Sequence, residues 1–342
     1  METKRVLVTG GLGYIGSHTV VELLNAGYEV IIYDNLQQGH KEAIPAISKI
    51  VNCKDKDIKL VIGDLCEKEK LDKMFKDFKV DSVIHFAADC SVPESMLNPQ
   101  KYFHNNVENS LTLLNCMVEN KVDKIIFSSS AAVYGEPKSI PIKENDPTEP
   151  TNVYGETKLM FEKILYWYNE IHGIKYVSLR YFNAAGAHVS GLIGEDHNPE
   201  THLIPLVLYT LIGKAKEVEI YGDDYPTPDG TCIRDYIHVT DLAVAHLLSL
   251  EYLYKNGKSK IYNLGNEKGF SVKEIISIAE KITNKSVPTK IVSRRPGDPA
   301  ILIASSEKIK QELKWKPQYS NIEEIVSTAW NWHSTHVNGF LT

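Results

Sequence analysis

Apolar runs and helical apolar periodicity alternate along the first half of the chain. Val6-Leu7-Val8 is a continuous apolar run closed by glycine, the pattern of a strand buried on both faces. Ile15, Val20, Val21, Leu23 and Leu24 then recur at helical spacing as far as Asn25-Ala26-Gly27. Further strands are expected over 30–33, 58–62, 80–86, 124–127 and 175–179. Between them, helices are expected from near Glu67, over 102–119 with Val107, Leu111, Leu114 and Val118 on one face, and over 152–172. The stretch from 35 to the strand at 58 reads as polar, and the segment with prolines at 137, 141, 147 and 150 is too proline-rich for a helix or an inner strand. This alternation predicts an α/β fold, a doubly wound, mostly parallel, Rossmann-type sheet with helices on both faces.

After Asn183 the texture changes. Loops rich in Gly, Pro and Asp occupy 186–202 and 222–232, with a helix expected over 203–213 between them. Strands are expected at 234–238 and 260–263 around a helix at 241–253, followed by helices at 272–283 and 321–333. There is no internal repeat and no low-complexity tract.

Composition narrows the function. The chain has 342 residues, 43% hydrophobic and 24% charged, with a formal net charge of −6. That size carries one large α/β domain with a smaller lobe, and the charge gives no support to nucleic-acid binding. The five cysteines, Cys53, Cys66, Cys90, Cys116 and Cys232, are odd in number and form no Cys-x-x-Cys pair. This usage fits a reducing compartment, and no metal site is expected. No apolar run approaches a membrane span, and the first strand begins within a few residues of Met1, so a cytoplasmic protein without a targeting segment is expected.

The glycine turn adds chemistry. Gly10, Gly13 and Gly16 stand at three-residue intervals between the first strand and the first helix, and the second strand ends in Asp34, 18 residues after Gly16. Glycines let the backbone approach a pyrophosphate, the helix N-terminus supplies N–H donors, and the carboxylate accepts from ribose hydroxyls. Because that carboxylate would repel a 2′-phosphate, NAD is expected rather than NADP. The rival reading is an ordinary strand–turn–helix with a surface Asp, but strand, glycines, helix and acid all agree. Asp64, after the third strand, could reach an adenine or cap the next helix; both readings stay open. Ala87-Ala88, after the fourth strand, leaves room for the cofactor. The expected division is a dinucleotide-binding domain over 1–182, to which 234–262 partly returns, and a smaller C-terminal substrate-binding α/β lobe over 183–342.

Tyr154 and Lys158 are spaced i, i+4 at the start of the long helix and so share a face. A phenol titrates near pH 10 in water. A neighbouring ammonium group and a cationic nicotinamide ring favour the phenolate, which makes Tyr154 a candidate general base. Ser130 arrives from the fifth strand and can orient a substrate hydroxyl. His85 and His238 lie in strand patterns and are read as structural.

These residues carry a resemblance. Thr9-Gly10-Gly11-Leu12-Gly13-Tyr14-Ile15-Gly16, Ser129-Ser130 with Val133-Tyr134-Gly135, Tyr154-x-x-x-Lys158 and Arg180-Tyr181-Phe182-Asn183 resemble the extended short-chain dehydrogenase/reductases over nearly the whole chain. Stretches 128–135, 181–188 and 225–239, with Arg294-Arg295-x-Gly297-Asp298, are similar to the branch that acts on UDP-sugars. The resemblance implies interconversion of UDP-galactose and UDP-glucose by NAD-mediated oxidation at C4, rotation of the 4-keto sugar and re-reduction on the other face. It implies Tyr154 as base, Lys158 as its electrostatic and ribose-binding partner, and Ser130 as the hydroxyl-orienting group. It places Gly10, Gly13, Tyr14, Ile15, Gly16, Asp34, Asn35, Asp64, Leu65, Phe86, Ala87, Ala88, Asn105 and Phe182 at the cofactor. Asn183, His202, Leu203, Tyr221, Arg234, Arg295 and Asp298 match positions around the uridine diphosphate and sugar, where guanidinium groups suit a diphosphate. It also implies a homodimer, with the helices at 102–119 and 152–172 forming a four-helix bundle across a two-fold axis.

Three positions depart from the pattern. Cys90 stands where a Lys is frequent, His202 where Asn is frequent, and Leu302, of intermediate bulk, at the position that influences whether an N-acetylated sugar fits. Among rival activities, a 4,6-dehydratase needs an ionisable pair after the strand-end Ser, where this chain has Ala131-Ala132. A decarboxylase fits the 234–238 region less well, and a non-catalytic NAD-binding protein would not need Tyr154, Lys158 and Ser130 together.

Overall fold

The computed structural model describes residues 3–54, 58–295 and 298–341. In chain order β1 (Arg5–Thr9), α1 (Tyr14–Asn25), β2 (Glu29–Asp34), α2 (Ala43–Val51), β3 (Lys59–Ile62), α3 (Lys68–Phe78) and β4 (Ser82–His85) come first. Next are α4 (Val92–Leu97), α5 (Pro99–Phe103), a π-helical turn (His104–Glu108), α6 (Asn109–Glu119), β5 (Lys124–Ser128), a 3-10 turn (Ala131–Tyr134), α7 (Val153–His172) and β6 (Lys175–Tyr181). There follow β7 (Asn183–Ala185), α8 (Leu203–Leu211), β8 (Val218–Tyr221), β9 (Ile233–His238), α9 (Val239–Tyr254) and β10 (Lys260–Leu264). The chain closes with β11 (Gly269–Ser271), α10 (Val272–Thr283), β12 (Thr289–Val292), β13 (Ile301–Leu302), α11 (Glu307–Leu313) and α12 (Ile322–Thr335).

The chain divides into two compact units. Unit 1 comprises Met1–Gly135, Thr148–Arg180 and Ala243–Tyr262, and unit 2 comprises Glu136–Pro147, Tyr181–Leu242 and Asn263–Thr342. Unit 1 is built on a seven-stranded sheet in the order β10-β6-β5-β4-β1-β2-β3. The pairings from β6 through β3 are parallel, with Leu7 beside Ile31 and Val83, and Ile125 beside Tyr176. These strands are apolar on both faces because helices cover both. Leu7, Ile31, Val83 and Ile125 pack with Leu113, Leu114 and Met117 of α6 and Phe161 and Leu165 of α7. The strand order reverses between β1 and β4, so the ligand crevice of a doubly wound sheet falls at their C-terminal ends.

Short elements of unit 2 went unexpected, and in unit 1 two stretches differ in kind from the sequence expectation. The stretch read as polar after Asp34 contains α2, which buries Ala43 and Ile47. Pro45 disguised it, yet proline is tolerated in a first turn, where no intrahelical N–H is needed. The helix expected over 102–119 is α5, the π-turn and α6 in succession. The π-turn carries Asn105, a candidate cofactor residue; such insertions frequently mark functional sites.

In unit 2, β9 pairs with β11 antiparallel and with β13 and β7 in parallel, while β12 and β8 form a separate pair. Helices α8, α10 and α12 bring Val207, Leu208, Ile275, Ile276, Ile325 and Val326 into its core. Of the segment 234–262, β10 joins the seven-stranded sheet, α9 from Ala243 onward lies in unit 1, and β9 lies in unit 2. Among the described residues no helix is long and apolar enough to cross a membrane.

Candidate active site

The glycine turn is shaped by three different demands. Gly10 has φ +67 and donates its N–H to Tyr33 O at 2.9 Å; a Cβ there would meet Ala87 N at 2.8 Å. At Gly16 a Cβ would run into Gly10 O and Gly11 Cα, so close helix–turn packing excludes any side chain. Gly13 is different: a Cβ there would meet only Gly10 O, at 3.4 Å. The protein's own packing does not require glycine at 13, and no side chain caps the α1 turn that starts there. A bare backbone at an uncapped helix N-terminus fits a pyrophosphate.

The other cofactor candidates are held as follows. Asp34 is buried at the end of β2 and accepts N–H groups from Leu12 at 3.0 Å and Leu36 at 2.9 Å. Burial pushes its carboxyl above the usual range, against the pull of those two donors. Asn35 donates its side-chain amide to Asp64 at 2.8 Å, and Asp64 also accepts the Cys66 N–H at 3.1 Å. Asp64 therefore shapes the loop; the N-cap of α3 is Glu67, without a side-chain cap. Tyr14 and Ile15 open α1, Leu65 is buried in the core, and the Phe86 ring lies 4.7 Å from His246. Ala87 backs Gly10, and Ala88 follows it at the strand end. Asn105 donates to Asp89 Oδ2 at 2.9 Å, and Cys90 beside it is exposed. Phe182 lies in unit 2, its N–H donating to Leu264 O at 3.1 Å.

The acid–base residues are held by α7. Asn152 caps this helix by accepting the Gly155 N–H at 2.8 Å. A Cβ on Gly155 would strike Ala132 O, so the 3-10 turn after Ser130 packs directly against the first turn of α7. This fixes Ser130, whose Oγ accepts the Ala132 N–H at 3.1 Å, relative to Tyr154. The Tyr154 N–H donates to Ser95 Oγ at 3.2 Å, and Thr157 Oγ1 donates to Tyr154 O at 2.8 Å.

One turn further, Lys158 is buried and donates to Ser128 O at 2.8 Å. Its Nζ lies 5.0 Å from the centre of the Phe127 ring and 5.7 Å from that of Tyr154. Burial pushes the Lys158 ammonium down to about 8, so it still carries its proton at neutral pH. The ammonium charge beside the ring favours the phenolate over the neutral phenol.

A third turn adds Glu162, buried and paired with Arg180 through Nη2 at 2.6 Å and Nε at 3.0 Å. Ser129 Oγ donates to the same carboxylate at 2.6 Å, and Arg180 Nη1 donates to Tyr134 Oη at 2.9 Å. Tyr154, Lys158 and Glu162 form one i, i+4, i+8 face. Sequence reasoning stopped at the first two; the signal for Glu162 was a lone acid continuing that face. Ser95 and Thr157 had no comparable signal. His85 and His238 are hydrogen-bonded within the fold, to Thr9 and Ser110 and to Thr328 respectively.

The candidate diphosphate and sugar residues lie in unit 2. Arg234 on β9 donates to Asp298 at 2.5 Å and to Ile233 O at 2.8 Å. Arg295 stands over Tyr221, its guanidinium carbon 3.8 Å from the ring centre, and among the described residues no carboxylate pairs with it. Asn183 donates to Asp235 O at 2.9 Å, Leu203 opens α8, and Leu302 on β13 stands in register with Arg234. His202 has its Nδ1 2.9 Å from both Glu195 and Glu200, so this nitrogen faces carboxylates. Gly297 lies outside the described residues.

A family model described as GDP-mannose 4,6 dehydratase matches residues 7–328. A UDP-glucose 4-epimerase of Halalkalibacterium halodurans is 53% identical over 337 residues, covering 98% of each chain. A crystal structure of a UDP-glucose 4-epimerase matches with a TM-score of 0.93 at 49% identity, over 99% of this chain and 100% of the other. The Bifidobacterium longum UDP-glucose 4-epimerase, crystallised in complex with NAD+ and UDP, matches with a TM-score of 0.93 at 42% identity, over 98% and 100% of the two chains. The chain therefore belongs to the nucleotide-sugar family that this model describes and, within it, to the UDP-glucose 4-epimerases.

Proposed function

We propose that Tyr154, Lys158 and Ser130 perform the acid–base chemistry by which this protein interconverts UDP-galactose and UDP-glucose. The observation that carries the assignment is the buried Lys158 ammonium, fixed on Ser128 O beside the Tyr154 ring. The cofactor is NAD, which fits the bare Gly13 backbone and Asp34; when bound, it accepts and later returns a hydride at the sugar C4. Tyr154 Oη takes the proton of the C4 hydroxyl as that carbon is oxidised, and the Lys158 charge stabilises the phenolate. The Ser130 hydroxyl orients the C4 oxygen. Arg234 and Arg295 hold the diphosphate, whichever way the 4-keto ring turns, so the ring can present its other face. Tyr154 then returns its proton, and C4 is inverted. Elimination of water would need an acid or base next to Ser130, and Ala131-Ala132 offers none.

The working unit in this proposal is a homodimer built on α7. Tyr166, Trp167 and Ile171 stand on this helix with 48%, 61% and 70% of their surface exposed, an apolar patch suited to a second copy. All five cysteines are free, in keeping with a reducing, cytoplasmic setting.

The test is incubation of purified protein with UDP-galactose, without added NAD, in heavy water. UDP-glucose is expected, with no solvent deuterium on ring carbons and with a C4 label retained when the substrate carries one. Solvent deuterium at C5 with loss of water would instead establish a dehydratase.

A further inference from the structure

The loop between β7 and α8 gathers Glu195, His197, Glu200 and His202 into one cluster within unit 2, with one ligand-capable atom of each within 4.8 Å of the others. His202 Nδ1 lies 2.9 Å from Glu195 Oε1 and 2.9 Å from Glu200 Oε1. His197 Nδ1 lies 3.1 Å from Glu195 Oε1 and 3.7 Å from Glu200 Oε2. The side chains of Glu195 and Glu200 are only 4% and 2% exposed. Glu200 Oε2 is buried without a hydrogen-bond partner, although it faces a histidine nitrogen. A buried carboxylate oxygen is rarely left so, because its desolvation then goes uncompensated.

An ion resolves this. Metal–ligand bonds of about 2.1 Å in a tetrahedron place neighbouring ligand atoms about 3.4 Å apart. The four imidazole–carboxylate separations, from 2.9 to 3.7 Å, straddle that value, and one ligand atom from each of the four residues lies within 4.8 Å of the others. The Glu200 carboxylate is already oriented, since its Oε1 accepts the N–H groups of Thr201 at 2.6 Å and His202 at 2.7 Å. We infer that Glu195, His197, Glu200 and His202 hold a zinc ion in a closed, four-coordinate site. Two neutral imidazoles and two carboxylates neutralise a divalent charge and suit a borderline ion. With all four positions filled by protein, the ion's role is structural. It fastens a loop without regular structure to the start of α8, where His202 is the N-cap. The same loop is tied to the C-terminal segment, through Trp332 Nε1 donating to Glu195 O at 2.9 Å and the Phe340 N–H donating to Asp196 at 2.9 Å.

The test uses untagged full-length protein. Elemental analysis after purification without chelator is expected to find about one zinc per chain. After EDTA dialysis, Tm should fall, and zinc(II) titration should restore it with saturation at one equivalent. His197→Ala and the nearly isosteric Glu200→Gln, each checked for folding by circular dichroism, should bind zinc at least tenfold more weakly. Their Tm should no longer respond to zinc, whereas His104→Ala, at an exposed ion pair far along the chain, should behave as the unaltered protein does. Protein that takes up no zinc at micromolar concentration, with Tm indifferent to zinc and EDTA, would overturn the inference and leave a network of protonated histidines and carboxylates. Stoichiometric uptake unchanged in both variants, or a preference for manganese(II) over zinc(II), would overturn it equally.

Discussion

Lys158 illustrates a residue kept for chemistry at a cost in stability. Its ordinary value of 10.5 falls to about 8 because burial penalises the ammonium, which corresponds to roughly 3 kcal/mol of folded-state destabilisation at neutral pH. Between about 8 and 10.5 the unfolded chain keeps a proton that the folded one has lost, so this residue's contribution to stability rises with pH through that window. Lys158→Met is expected to raise the Tm of the cofactor-free protein at pH 7, with the gain shrinking as the pH approaches 10.5. Its turnover should fall, the phenolate population lost with the charge. Tyr154→Phe preserves the ring packing but removes the proton acceptor; turnover should drop by at least about a hundredfold while NAD stays bound, measured as dinucleotide released on denaturation. The two glycines should separate cleanly. Gly13→Ala should fold and bind NAD more weakly, whereas Gly16→Ala should fail in thermal unfolding, because its Cβ meets backbone.

At the scale of elements, α7 is the member through which the site is held. Asn152 caps it, Gly155 lets the 3-10 turn approach, and Glu162 ties it to Ser129, just after β5, and to Arg180 of β6, which in turn donates to Tyr134. Removing one partner of a buried ion pair costs about 3–5 kcal/mol, since the other charge is left alone. Glu162→Ala should therefore lower the unfolding free energy by about that amount and lower kcat as well, a combination not expected of Tyr154→Phe. In unit 2 the buried Asp235 accepts N–H groups from Asn266, Glu267 and Ala304 at 2.8, 3.0 and 3.1 Å. Asp235→Ala strands three donors, and urea unfolding should show a loss of roughly 3 kcal/mol or more.

For the whole molecule, the exposed Tyr166, Trp167 and Ile171 define the expected dimer contact. Trp167→Glu should convert a dimer to a monomer in sedimentation velocity at micromolar concentration. A sedimenting monomer of the unaltered chain would refute the dimer and leave the patch for another partner.

The parts legible from sequence are those governed by local rules. Strand runs covered on both faces, helix periodicity, the Gly10–Gly16 turn and the i, i+4 pair Tyr154 and Lys158 depend on neighbours within a few residues, and so does the acid at the end of β2. Periodicity lost α2 to Pro45 and the π-turn to an otherwise regular helix, since neither changes the count of apolar positions. The short strands β7, β11 and β13 had no signal, because strands of two or three residues exist only through their pairing with β9. Tertiary structure alone decided the rest. It brought Glu162 and Arg180 together across 18 residues. It showed Asp64 shaping a loop instead of capping α3. It also placed His202, an isolated candidate for a phosphate contact in the sequence, at one corner of a His and Glu cluster whose carboxylates are buried. The physical reason is common to all three: burial and the pairing of charge are properties of neighbours in space, and the chain states only neighbours in sequence.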